Sequence, residues 1–136
     1  KGEEEAELVD IARSKMTHDS INSCDQLSIG ELLGLLKYSD LTVANDTSVM
    51  HLASLVGTPV TALFGATDPM QYGPRNSHDV VLYKDLYCSP CLTNYNLKIS
   101  YCTSPVCIRS IGVEETFARI NDQLAAVGAV ESGVLQ

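Results

Sequence analysis

The fold of this 136-residue chain is decided by residues 41–74, LTVANDTSVMHLASLVGTPVTALFGATDPMQYGP. Two apolar, β-rich runs, residues 41–44 and 60–64, flank a stretch from Val49 to Val56 with helical spacing, which Gly57-Thr58-Pro59 closes. Because parallel strands need a crossover helix, this strand–helix–strand pattern predicts an α/β domain with a buried parallel sheet. Ligand chemistry is expected at the carboxyl ends of its strands.

The polar turn after the first strand, Asn45-Asp46-Thr47-Ser48, runs directly into the predicted helix. Free backbone N–H groups and the positive end of the helix dipole make such a turn a natural anion site. Thr47 or Ser48 either caps the helix or turns its hydroxyl toward a phosphate. Asp46 would repel a diphosphate, so as a functional residue it is expected to accept hydrogen bonds from sugar hydroxyls. His51, one turn further on, either donates to a phosphate or packs within the fold.

The ordered motifs D-T-S-V-M-H-L-A, G-T-P, F-G-A-T-D-P and G-P, between Asp46 and Pro74, resemble the nucleotide-sugar half of glycosyltransferase family 9, the lipopolysaccharide heptosyltransferases. Weaker support comes from the acidic first helix, L-S-I-G-E at residues 27–31 and C-S-P-C at residues 88–91. The resemblance implies two facing Rossmann-like domains of GT-B type, each a parallel sheet flanked by helices. This chain looks like the C-terminal half, with residues 1–127 as the donor-binding domain.

The resemblance also implies roles for particular residues. Asp46 would meet the sugar of ADP-heptose or a related donor, Thr47, Ser48 and His51 the diphosphate, Glu5 the ribose and Leu27 the face of the adenine. The family's catalytic base lies in the other domain, so no catalytic residue is assigned here. The expected enzyme is an inverting glycosyltransferase that requires no cofactor. Its acceptor, a lipid-linked oligosaccharide of the lipopolysaccharide core, would bind through the N-terminal domain, and the chain alone is expected to be inactive.

Two residues depart from the family pattern. Ser48 stands where the family usually has glycine, which lets a backbone approach a phosphate more closely than any residue with a side chain. Ala66 replaces the usual proline of the F-G-P-T-D-P turn, and this change loosens the loop without removing Thr67 or Asp68. The alternative is that Thr67 and Asp68 only cap the turn.

The charge composition restricts the partners of the domain. A formal net charge of −8, from 17 acidic and 9 basic residues, opposes electrostatic binding to nucleic acid or to an anionic membrane. No apolar run reaches the roughly 18–20 residues that span a bilayer, so we expect a cytoplasmic domain, peripheral at the inner membrane face in the full-length enzyme. A diphosphate nevertheless favours positive charge. Near the motif in sequence, the cations are Lys37, Arg75 and Lys84.

The remaining elements follow from local patterns. Residues 3–15 predict an amphipathic helix with Leu8, Val9, Ile11 and Ala12 inward, and residues 20–24 a short strand. Ser28 and Glu31 form the capping box of a helix through residues 32–36. Leu27, just before this box, is either a hydrophobic staple residue or the adenine platform. Residues 80–83 predict a strand, residues 113–127 the last helix, and residues 128–136 a flexible tail.

Four cysteines fall within residues 84–112, a segment that is long for a loop. Cys88, Cys91, Cys102 and Cys107 give a C-x2-C, C-x4-C pattern, and four thiolates at such spacings are able to hold a structural zinc ion. Reduced, packed cysteines are the alternative, and disulfides a third, which a cytosolic compartment disfavours. The metal site is therefore one of three hypotheses.

Two other function classes stay open beside the transferase. The first is a nucleotide-binding or regulatory module that kept the fold and lost transfer, which the Ser48 departure permits. The second is a cysteine-clustered interaction domain in which the Asp46–Ser48 turn is merely structural.

Overall fold

The computed structural model describes residues 3–131 of the chain, and the side chains of residues 6–128. These residues form two compact units that divide between Gly34 and Leu35. The elements are, in chain order, α1 (Glu3–Ser14), α2 (Ile29–Lys37), β1 (Thr42–Asn45), α3 (Ser48–Val56), β2 (Val60–Phe64), α4 (Pro69–Tyr72), β3 (Val80–Tyr83), α5 (Val106–Arg109) and α6 (Val113–Glu131), with a short 3-10 turn at Asn94–Asn96.

The sheet consists of three parallel strands in the order β1-β2-β3. In its register, Val43 lies beside Thr61 and Thr61 beside Val80. Strands β2 and β3 have the bounds that the sequence predicts, and β1 begins and ends one residue later than predicted. The predicted α/β fold with a parallel sheet is confirmed, and the carboxyl ends of its strands lie at one edge.

The core of this second unit lies around the central strand β2. Val60, Ala62 and Phe64 alternate along the strand and are all completely buried, so they share one face of the sheet. Helix α3 packs against β1 and β2, and its Met50 and Ala53 are also completely buried. The apolar side of α3 fixes the direction in which the helix leaves β1, and with it the position of the turn between them.

Hydrogen bonds from a buried glutamine hold helix α6 against the other face of the sheet. Gln123 is only 5% exposed, and its Oε1 accepts a hydrogen bond from the buried Thr61 hydroxyl. Its Nε2 donates to the carbonyl oxygens of Val60, at 3.1 Å, and His78. Thr61 points to the opposite face from Val60 and Ala62, so helices cover both faces of the sheet.

The first unit agrees with the sequence in part. The capping box is confirmed, because the Ser28 hydroxyl and N–H donate to Oε2 of Glu31 at 2.7 and 2.8 Å and the Glu31 N–H donates to Oγ of Ser28 at 3.4 Å. The hydroxyl bond and the N–H bond from Ser28 lower the pKa of the Glu31 carboxyl. The predicted strand at residues 20–24 is wrong. An Asn22 side-chain oxygen accepts a hydrogen bond from the Cys24 N–H, and Asp25 has a φ of 55°, so the chain turns there instead of extending. Leu8 and Ile11 of α1, predicted to point inward, are 65% and 45% exposed.

The C-terminal part contains more regular structure than the sequence suggests. The predicted loop at residues 84–112 includes the 3-10 turn and α5, and α6 continues past the predicted end at Val127 to Glu131. Residues 132–136, the rest of the predicted tail, lie outside the described residues. Within residues 3–131, none of the helices has the length and apolar character needed to cross a membrane.

Candidate functional site

The turn between β1 and α3 presents the residues that the sequence singled out. Thr47 is the N-cap of α3, with extended backbone angles of φ −143° and ψ 168°, and its side chain makes no capping hydrogen bond. Thr47 and Ser48 are exposed, and the first turn of α3 contains no acidic residue. The hydroxyl of Thr47 and the first amides of the helix are therefore available to an anion.

Asp46 and His51 lie close together beside this helix start. The Nε2 atom of His51 is 3.9 Å from Oδ1 of Asp46, and the two side chains are 54% and 23% exposed. The structure thus brings together the residues predicted to contact the sugar and the diphosphate. Because the carboxylate of Asp46 is negative, it opposes a phosphate at its own position.

The turn after β2 has a mainly structural aspartate. Asp68 is the N-cap of α4, and its Oδ1 accepts a hydrogen bond from the Met70 N–H at 2.8 Å, so the capping alternative for this residue is confirmed. The short helix ends at Gly73, where an added Cβ would lie 2.4 Å from the Pro69 carbonyl oxygen. Only glycine fits this tight turn. Thr67, in contrast, is half-buried and lines a cavity.

That cavity, of about 270 Å³, lies at the carboxyl ends of β1 and β2. It is lined by Asn45, Asp46, Leu63, Gly65, Ala66, Thr67, Leu92, Pro105, Cys107 and Ile108. The last four residues come from the 84–112 segment, and sequence reasoning missed their part in the site. No local sequence signal identifies them, because tertiary hydrogen bonds to the turn after β2 bring them there.

The three cations near the motif in sequence have other contacts or positions in the structure. Lys84 Nζ lies 2.7 Å from Oε2 of Glu115, and this hydrogen bond lowers the pKa of the Glu115 carboxyl. Arg75 donates to the Met70 carbonyl oxygen at 2.6 Å. Lys37 lines a groove with Pro59, near the amino ends of the strands and therefore at the edge opposite the cavity. The favourable electrostatics that the site itself offers a diphosphate are the backbone N–H groups and the dipole at the start of α3.

The four cysteines of the predicted zinc site do not converge. Among residues 6–128, no three His, Cys, Asp or Glu side chains are placed to share a metal ion. Cys107 is buried in α5, Cys91 is held through its backbone at Ala66, and Cys88 and Cys102 are exposed. The donor set in this arrangement does not fit a zinc ion. Structural zinc stays a prediction that metal analysis of the purified protein would decide.

Two predicted contacts with the nucleoside belong to the first unit. The side chain of Glu5 lies outside the described residues, so its ribose role stays a prediction. Leu27 is 38% exposed and directly precedes the Ser28 capping box. A partly exposed leucine at this position fits a staple residue and an adenine platform equally well, and its adenine role also stays a prediction.

Comparison with known proteins places this sequence in a family. The sequence model of glycosyltransferase family 9 (heptosyltransferase) matches residues 1–101. The chain is 32% identical to lipooligosaccharide heptosyltransferase 2 of Campylobacter jejuni over 72 residues, which are 52% of this chain and 23% of the relative. It is 36% identical to lipopolysaccharide heptosyltransferase 1 of Pseudomonas aeruginosa over 67 residues, which are 49% of this chain and 19% of the relative.

A third relative, lipooligosaccharide heptosyltransferase 2 of Haemophilus influenzae, is 31% identical over 64 residues, which are 47% of this chain and 18% of the relative. The chain therefore spans less than a quarter of the length of each of these proteins. No solved structure is significantly similar to it. Because the family model covers residues 1–101 of 136, including the whole Asp46–Ser48 turn and the strands on either side of it, this chain belongs to glycosyltransferase family 9.

Proposed function

We propose that this chain is the donor-binding half of a GT-B-type inverting glycosyltransferase that moves a heptose-like sugar from ADP-heptose to a lipopolysaccharide-core acceptor. The observation that carries the proposal is the position of Asp46, Thr47 and His51. All three match the family motif, and they gather at the carboxyl end of β1, where α3 begins.

The start of α3 is the diphosphate part of the proposed site. The first helical bond, from the His51 N–H to the Thr47 carbonyl oxygen, leaves the earlier amides without a partner inside the helix. The Thr47 hydroxyl is free of a capping bond, so it can donate to a phosphate oxygen without destabilising the helix end. Together with the helix dipole, these donors stabilise negative charge that develops on the departing diphosphate.

Asp46 is the sugar part of the site. Its carboxylate is partly exposed and lines the cavity, so it can accept hydrogen bonds from hydroxyl groups there. The same charge keeps phosphates on the Thr47 side. The donor would therefore lie with its diphosphate at the helix start and its sugar toward the cavity.

The reaction would be a direct displacement at the anomeric carbon. A base deprotonates the acceptor hydroxyl while the bond from the sugar to the diphosphate breaks. The Thr47 hydroxyl and the helix amides, including the N–H of Ser48, stabilise the negative charge. We assign the base and the lipid-linked acceptor to the part of the full-length protein outside this chain. The full-length enzyme would work at the cytoplasmic face of the inner membrane.

Calorimetric titration with ADP, UDP and GDP tests the proposal. ADP should bind best, and Thr47→Ala should weaken it about ten- to hundredfold, the effect of one lost hydrogen bond to a charged group. Asp46→Ala removes a negative charge, so it should not weaken ADP, but it should weaken ADP-heptose because the carboxylate contacts the sugar. Thr103→Ala, which removes an exposed hydroxyl elsewhere, is the matched control.

Two other outcomes contradict the proposal in different ways. If the folded domain binds none of the nucleotides, the Asp46–Ser48 turn is only a helix cap. If ADP binds and depends on Thr47, but the full-length protein transfers no sugar, the chain belongs to a nucleotide-binding module. Ser48 at the first position of α3 is the observation that favours this second function.

A further inference from the structure

The cavity at the carboxyl ends of β1 and β2 has a polar and an apolar side. Asn45, Asp46 and Thr67 supply groups that bond hydroxyls. Leu63 and three residues of the cysteine-containing segment, Leu92, Pro105 and Ile108, supply apolar surface. A sugar ring has the matching chemistry, since its hydroxyls need hydrogen-bonding partners and its C–H faces pack on apolar groups. Thr47 and Ser48 are not among the residues that line the cavity.

The size of the cavity suits a group smaller than a whole nucleotide. Its volume of about 270 Å³ falls just below the roughly 300–1,000 Å³ of sites that hold whole drug-sized ligands. A diphosphate is excluded on charge, because the carboxylate of Asp46 lines the space. The volume and the charge of the cavity therefore both fit a neutral, hydroxyl-bearing group of about one ring.

The segment that forms the apolar side is firmly anchored to the turn after β2. The N–H groups of Cys91 and Leu92 donate to the carbonyl oxygen of Ala66 at 2.9 and 2.8 Å, and the buried Ser89 hydroxyl donates to the carbonyl oxygen of Gly65. Cys107 packs from the other side, and an added Cβ at Gly65 would lie 3.2 Å from its Sγ atom. A wall fixed at both ends holds its shape before a ligand binds, which favours discrimination between ligands.

We propose that residues 84–112 form the wall of a pocket for the donor's sugar, and that Leu92 is a specificity-determining residue within it. This inference rests on the proposed function, because it assigns the sugar of the same donor to this cavity. It gives the cysteine-containing segment a role that needs no metal. Ser89, Cys91 and Cys107 position the wall, and Leu92, Pro105 and Ile108 contact the ring.

The test compares ADP with ADP-heptose on the chain labelled with ¹⁵N, followed by NMR titration so that weak binding is measured. Leu92→Trp fills the cavity, so it should weaken ADP-heptose by about tenfold or more while ADP binds as in the wild type. In the wild type, the amide signals of Ala66 and Leu92 should shift with ADP-heptose and stay in place with ADP. Leu97→Trp is the matched control, because Leu97 lies on the same segment, is 81% exposed and does not line the cavity.

Each outcome separates the inference from the proposed function. Unchanged ADP binding in Leu92→Trp shows that the variant is folded, so a selective loss of ADP-heptose supports the pocket. If Leu92→Trp and Leu97→Trp bind ADP-heptose equally well, the sugar lies elsewhere and the inference is overturned, while the proposed function stands. If the wild type binds neither ligand, both are overturned. If Leu92→Trp loses ADP as well, the milder Leu92→Phe is measured, and parallel loss of both ligands there overturns the inference.

Discussion

Ser48 is the residue of the Asp46–Ser48 turn that the resemblance marks as a departure from the family's usual glycine. It occupies the first position of α3, next to the Thr47 cap, and it is exposed. Glycine at this position would let a phosphate come closer to the helix amides, whereas serine offers a hydroxyl but keeps a Cβ in the way. Which effect dominates can be measured directly, because the two properties of serine are separable by substitution.

We expect Ser48→Gly to strengthen ADP binding about two- to fivefold, since removal of the Cβ shortens the contacts from backbone N–H groups to phosphate. Ser48→Ala keeps the Cβ and loses the hydroxyl, so it should bind ADP much as the wild type does. Titration of the three proteins measures this, with thermal unfolding as the check on folding. If Ser48→Ala weakens ADP and Ser48→Gly does not strengthen it, the hydroxyl itself holds the phosphate.

The packing of helix α6 on the sheet depends on one buried polar side chain. Gln123→Met keeps the volume but leaves the Thr61 hydroxyl and the Val60 and His78 carbonyl oxygens without their partner. We expect the free energy of unfolding to fall by about 1–3 kcal/mol, the cost of unsatisfied buried polar groups. Denaturant unfolding measures the change, with Asp122→Ala, an exposed neighbour on the same helix, as the control. Equal stability of the two variants would show that the glutamine contributes nothing.

A second link between elements depends on pH. The hydrogen bond from Lys84 lowers the pKa of Glu115 below its ordinary value of 4.5, so the folded state holds this carboxyl ionised more strongly than the unfolded state does. The resulting stability is present in full above the unfolded pKa and is lost as pH falls through the lower, folded pKa. Glu115→Gln should therefore be less stable than the wild type at pH 7, and the difference should vanish in acid. Denaturant unfolding at several pH values tests this, and Glu114→Gln, which lacks the lysine contact, should show no such pH-dependent difference.

Elements with a strong local signal were predictable, and those that depend on tertiary contacts were not. Strands β2 and β3, helix α3 and the Ser28 capping box all follow from patterns within a few residues. Helix α4 also has a local signal, since Asp68 and Pro69 form an N-cap followed by proline. Helix α5 and the apolar side of the cavity had none. They depend on bonds to Ala66 and packing on Gly65, more than twenty residues away in sequence.

The candidate site was predictable to the same extent. Asp46, Thr47 and His51 belong to one short motif, and the structure gathers them because one strand end and one helix start carry all three. The sequence also named Lys84 and Arg75 as cations near the motif. In the structure, Lys84 bonds Glu115 and Arg75 donates to the Met70 carbonyl oxygen, and no local sequence pattern indicates either contact.

For the molecule as a whole, two opposing forces decide whether copies associate. Within the described residues, β1 pairs only with β2, so its other edge presents unpaired backbone groups, and Val43 on this strand is 46% exposed. An exposed edge strand of this kind pairs readily with another chain. The net charge of −8 works against this, because like-charged copies repel one another.

We therefore expect the chain to self-associate as its concentration rises, and more strongly at high salt, which screens the repulsion but leaves edge pairing intact. Val43→Lys adds a charge to the edge strand and should weaken association about tenfold or more. Sedimentation velocity at low and high salt measures both effects. Leu55→Lys, which places the same charge at a 77% exposed position on α3, separates the edge from the general effect of charge. Each lysine reduces the net negative charge by one, so a general effect of charge would strengthen association instead of weakening it. If both variants weaken association equally, the β1 edge has no special part; if only Val43→Lys does, strand pairing at β1 is the contact.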